Sequence, residues 1–107
     1  MKEINRTESQ KELAVLCKSV RELVEQKEYH KCELLIKDAM RKYPHAPQPH
    51  NLIGILLEKK GDHVAAMKHF RAAWALDPTY IPARCNLERY GSLYANEKCA
   101  FDESDCP

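Results

Sequence analysis

An all-α fold of antiparallel helix–turn–helix repeats, about five helices wound as an α–α superhelix, is predicted by three observations. The first is a recurrence. Leu16/His50, Val20/Gly54, Leu23/Leu57, Cys32/Ala66, Ile36/Phe70, Ala39/Ala73 and Pro44/Pro78 are each 34 residues apart, and a fixed period of that size marks a repeat architecture. The second is the helical spacing of apolar residues, as in Leu13, Leu16, Val20, Leu23 and Val24. The third is punctuation: Tyr43-Pro44, Gly61-Asp62 and Asp77-Pro78 fall where the apolar stripes end.

Each element follows from local chemistry. Ser9-Gln10-Lys11-Glu12 has the form of a capping box, a serine oxygen for an early N–H and a glutamate three residues on, so the first helix is expected from there to about Gln26. A turn through Lys27-Glu28 leads to a second helix, about Tyr29 to Lys42, with Cys32, Leu35, Ile36, Ala39 and Met40 inward. Pro44 stops it by removing an N–H and restricting Tyr43. Pro47 and Pro49 sit in the first turn of a third helix, where a missing donor costs nothing, and that helix runs to about Lys60. Gly61 supplies a left-handed C-cap and Asp62 an N-cap oxygen for a fourth helix, about His63 to Leu76. A fifth helix, introduced by Pro82, is expected over about 81–96. Its Arg84, Glu88 and Gly91 align with His50, Gly54 and Leu57, the polar or weakened face of a terminal cap.

The second copy reads Asn51-Leu52-Ile53-Gly54, Leu57, Gly61-Asp62, Ala66, Phe70, Ala73 and Leu76-Asp77-Pro78. This pattern resembles the tetratricopeptide repeat, a helix–turn–helix unit whose members bind peptides or partner proteins. The resemblance covers about 13–96: repeat one about 13–46, repeat two 47–80, and a capping helix about 81–96. Small side chains at Gly54 and Ala66 are expected to let the third and fourth helices approach, with Phe70 filling the space they leave and Ala73 admitting the next helix. The organisation is then a mobile N-terminus (1–8), a helical domain (9–96) and an acidic mobile tail (97–107). A chain of 107 residues is one domain, and two repeats with a cap are not expected to form a closed globule.

Composition narrows the function classes. A formal net charge of +1 with 31% charged residues gives no electrostatic case for nucleic acid or membrane binding. The longest apolar stretch, near 52–57, is far short of the ~20 residues of a membrane helix, and the N-terminus lacks the apolar core of a signal peptide. Five cysteines, an odd number with no CxxC pair, point to reduced thiols and a cytoplasmic setting. His63 and His69, six apart on one predicted helix, face different ways, and neither HExxH nor a His/Cys quartet occurs, so no metal is expected. No cofactor is expected either: Gly54, Gly61 and Gly91 are scattered rather than gathered in a phosphate-binding loop. Cys17 and Cys85 read as small apolar groups without an adjacent base, and Trp74 as a large contact on which Tyr80 or Tyr90 packs. The chain is not expected to be an enzyme.

In the resembled family the first helix of each repeat lines a concave groove. The rows this implies are Cys17/Asn51/Cys85 and Arg21/Ile55/Arg89, again in steps of 34. Two guanidiniums around an amide and an apolar side chain suit a peptide bearing a carboxylate, held bidentately by arginine with Asn51 on its backbone; solvated helix-face residues are the plainer alternative. The family's lysine/asparagine clamp for terminal carboxylates is not expected, because its positions carry Cys17, Arg21, Leu52, Pro82 and Asn86 and the lysines are missing. The expected function is a non-catalytic protein–protein interaction module, the partner a protein or peptide; the alternative is structural self-association as a weak homo-oligomer, in which the groove or the first helix pair, around Leu13 and Leu16, packs on another copy. Charge is split along the chain: Lys98 against Glu97, Asp102, Glu103 and Asp105 leaves −3 on 97–107 and +4 before it. The tail is therefore expected either to be solvated or to dock on Arg21 and Arg89, with Phe101 beside Ile55.

Overall fold

The computed structural model describes residues 6–91 and 99–106. They form five helices, α1 (Arg6–Glu25), α2 (Tyr29–Lys42), α3 (Pro47–Lys59), α4 (His63–Leu76) and α5 (Ile81–Tyr90), followed by a short 3-10 turn (Glu103–Asp105). The all-α class is as expected, with no strand among the described residues.

The helix ends show what the sequence specified and what it did not. α2 and α4 begin and end at the residues the turn signals indicate. The Asp62 carboxylate accepts the Ala65 N–H at 3.2 Å, the N-cap expected of it. α1 instead includes Arg6 to Glu8, so the Ser9–Glu12 box lies inside the helix. Nothing in Arg6-Thr7-Glu8 breaks a helix, and an interior serine costs little; residues 6–8 therefore belong to the helical body, while the rest of the expected mobile N-terminus, 1–5, lies outside the described residues. α5 ends at Tyr90 with Gly91 as its C-cap. Its expected continuation over 92–96 is also outside the described residues.

The α1–α2 and α3–α4 turns share one geometry. After α1 the Glu28 N–H reaches the Leu23 carbonyl at 2.8 Å and the Lys27 N–H that of Val24 at 2.9 Å; after α3 the Asp62 N–H reaches Leu57 at 2.9 Å and the Gly61 N–H reaches Glu58 at 3.0 Å. This paired closure of orphan carbonyls needs a left-handed residue. Gly61 provides it at φ 85°, and Lys27, 34 residues earlier, adopts φ 60° despite its Cβ.

Packing follows the small-residue expectation. Gly54, Ala66, Phe70 and Ala73 are buried, and a Cβ at Gly54 would stand 2.6 Å from Phe70 Cδ1, so only glycine lets α3 lie against the ring. Tyr90 stacks on Phe70, with ring centroids 5.8 Å apart, and not on Trp74, which is exposed; Tyr80 is buried with Ala73 and Ala83 in a separate small cluster. Leu35, expected inward, is exposed on α2, and Leu13, expected to be partly uncovered, is buried. The radius of gyration is 13.2 Å, close to the ~13 Å of a compact domain of about 100 residues. Two repeats were not expected to form a closed globule, and residues 99–106 pack across α1, α3 and α5.

Candidate functional site: the concave groove and the segment within it

α1, α3 and α5 line the groove, and the left-handed turns that follow α1 and α3 lie 34 residues apart. The two rows expected from the sequence both lie there, with different degrees of burial. Asn51 and Ile55 are fully buried and Cys17 nearly so, while Arg21, Cys85 and Arg89 are half-buried. Burial pushes the Cys17 thiol up to about 12, so it stays protonated at neutral pH.

Residues 99–106 occupy this groove. The expectation of a mobile tail over 97–107 gives way here to a packed segment, whereas 97, 98 and 107 lie outside the described residues. Ala100, fully buried, is held through its main chain. Its N–H donates to Asn86 Oδ1 at 2.8 Å, and its carbonyl accepts from Asn86 Nδ2 and Asn51 Nδ2, each at 2.9 Å. Asn86 Nδ2 also donates to Asn51 Oδ1 at 2.8 Å. The two amides thus bond each other and both main-chain polar groups of Ala100, as buried polar groups must. Asn86 was not in the two expected rows and was named only as a position of the family's carboxylate clamp. Its Asn51-like chemistry sits one position out of the 34-residue row, and the signal that finds it is its carboxamide on an otherwise buried face of α5.

Phe101 is buried in the main core cluster, which also contains Ile55 and Cys17. The Arg21 guanidinium lies 5.2 Å from its ring centroid, a cation–π distance. Arg21 also forms a two-pronged pair with Asp105, Nη1 to Oδ1 at 3.1 Å and Nη2 to Oδ2 at 2.6 Å, with Asp102 at 3.3 Å. Desolvation works against the Arg21 charge, but the hydrogen bond and charge of Asp105, aided by Asp102, outweigh it and push its pKa upward. Arg89 donates to the Asp105 carbonyl at 2.8 Å.

The segment is shaped to receive these contacts. Asp105 Oδ2 accepts the Phe101 N–H at 2.9 Å and the Asp102 N–H at 3.3 Å, and Asp102 Oδ1 accepts the Ser104 N–H at 2.9 Å and its hydroxyl. These bonds make a reciprocal cap around the 3-10 turn. The chain therefore turns back so that both aspartates meet Arg21.

Away from the groove, His50 on α3 and His69 on α4 stack with Nδ1 atoms 3.2 Å apart, a pairing that the comparison of His63 with His69 did not reveal. Burial lowers the pKa of both. Among the described residues no three metal-ligating side chains converge, and no helix is long and apolar enough to cross a membrane. In comparisons with known proteins, no protein-family model, curated protein or solved structure matches the chain.

Proposed function

We propose that this chain is a non-catalytic interaction module of the tetratricopeptide kind, acting in the cytoplasm, whose concave groove takes an acidic segment of a partner protein or peptide. One observation carries the reading: the groove already holds a peptide segment by its main chain, by an aromatic side chain and by a carboxylate. A surface that orders eight residues of its own chain in this way has the donors, the apolar pocket and the charge to order the same chemistry from another.

The test uses the intact chain carrying Asp102→Ala and Asp105→Ala, which removes the carboxylates now on Arg21. Panning a random peptide library on this variant is expected to enrich acidic sequences, and adding Arg21→Glu and Arg89→Glu is expected to abolish the enrichment. No enrichment, or enrichment indifferent to the reversed groove, counts against the reading.

A second reading, self-association, draws on Val15 and Leu35, 62% and 41% exposed, which line one shallow cleft across α1 and α2. Light scattering over a concentration series decides it: growth in mass that Val15→Lys abolishes supports it, and a monomer throughout removes it.

A further inference from the structure

The groove's ligand is specified more narrowly than by acidity. Resting on the reading of the groove as a peptide site, we propose that it recognises an internal segment of the form small–aromatic–Asp-x-x-Asp, and that residues 100–105 of this chain are a built-in copy that competes for it.

Each position of the pattern follows from a contact. The first residue is read only through its N–H and carbonyl, by Asn86 and Asn51, and its methyl group is fully buried, so a small side chain is required. The second is aromatic because it fills an apolar pocket under a guanidinium, which a ring face attracts and an aliphatic side chain does not. The two aspartates do separate work. Asp102 closes the turn on Ser104, while Asp105 binds the two N–H groups at the start of the turn and offers both oxygens to Arg21. Glutamate, one methylene longer, cannot keep the turn bonds and the arginine pair at once. The x positions, Glu103 and Ser104, are exposed, and of the two only Ser104 adds a side-chain bond, from its hydroxyl to Asp102.

The segment is internal because Arg89 takes a main-chain carbonyl where a terminal-carboxylate reader would take a chain end. Charge is complementary, −3 on 97–107 against +4 on the remainder. A tethered copy acts at an effective concentration on the order of millimolar, so an outside ligand binds weakly until the resident segment is weakened.

The probe is a synthetic peptide copying residues 99–106, with serine for both cysteines and both ends blocked, labelled for fluorescence anisotropy. It is expected to bind the Asp102→Ala/Asp105→Ala chain at least about tenfold more tightly than the unmodified chain. Phe101→Ala or Asp105→Asn in the peptide should each weaken binding at least about tenfold, the loss of one strong contact. Unblocking its C-terminus should change nothing. A scrambled peptide that binds equally well, or a requirement for the free carboxylate, overturns the proposed pattern while leaving the groove a peptide site. If neither this peptide nor any acidic library peptide binds the variant, the groove reading falls with it. Should the variant lose its helical circular dichroism, the unmodified chain, 15N-labelled, serves instead with peptide in excess. The main-chain amide signals of the resident Ala100 and Phe101 should then move toward free-peptide positions with the intact pattern and not with the scrambled one, and equal movement or none overturns the proposal.

Discussion

Asn86 joins the helical body to the segment it holds. Replacing it with leucine keeps the branching but not the polar atoms, leaving the Ala100 N–H without its acceptor and Asn51 Oδ1 without its donor, so Asn86→Leu is expected to cost about 1–3 kcal/mol in chemical denaturation. Gly54 makes the opposite kind of demand. Its missing Cβ is the space in which Phe70 lies, and Gly54→Ala should cost about 1–3 kcal/mol by overpacking, lowering the thermal midpoint by several degrees. The two differ in legibility for a physical reason. Gly54 stands out because a glycine inside an apolar helical stripe needs a close neighbour, and the 34-residue period supplied Phe70's repeat unit. Asn86 answers a peptide unit at Ala100, in a segment outside the repeat, and no period connects them. Asn51, Arg21 and Arg89 were legible because they share faces with one another; what they hold was legible as a charge difference and an apolar anchor, Phe101, and not in its main-chain bonds.

The shared turn geometry gives opposite outcomes for two substitutions at equivalent positions in adjacent repeats. Lys27 sits in the left-handed region at φ 60°, which costs an ordinary residue roughly 1 kcal/mol, so Lys27→Gly should raise stability by up to about that amount. Gly61→Ala, at φ 85°, should lower it by at least about 0.4–1 kcal/mol. Thermal melts of the two variants check both signs. The α3–α4 contact carries a pH dependence. Burial holds His50 and His69 below their ordinary value of 6.5, so on acidification the unfolded chain takes up protons first. The stability this pair contributes is present above the ordinary value and is lost as pH falls through the lowered values. His69→Gln should flatten the decline in stability between neutral pH and about pH 5, the range of an ordinary histidine. Helix boundaries were legible where proline, glycine or aspartate marks them, at α2 and α4. They were not at the start of α1, where a capping pattern occurs inside a helix that simply continues.

At the scale of the molecule, residues 99–106 pack on α1, α3 and α5 and add Ala100 and Phe101 to the buried residues. That segment contributes apolar area as well as charge. Truncating a buried phenylalanine costs about 3–5 kcal/mol in a rigid core, but Phe101 belongs to a segment that can leave, so the loss from Phe101→Ala is capped by the docking energy and should be smaller than that range. Amide hydrogen exchange at Ala100 in the full chain tests the docked groove most directly, since this N–H donates to Asn86 Oδ1 at 2.8 Å. A held segment should slow Ala100 by about tenfold for each 1.4 kcal/mol of docking, and Arg21→Ala should return it toward the rate of a free peptide; Ala100 exchanging at the free-peptide rate in the unmodified chain would contradict it.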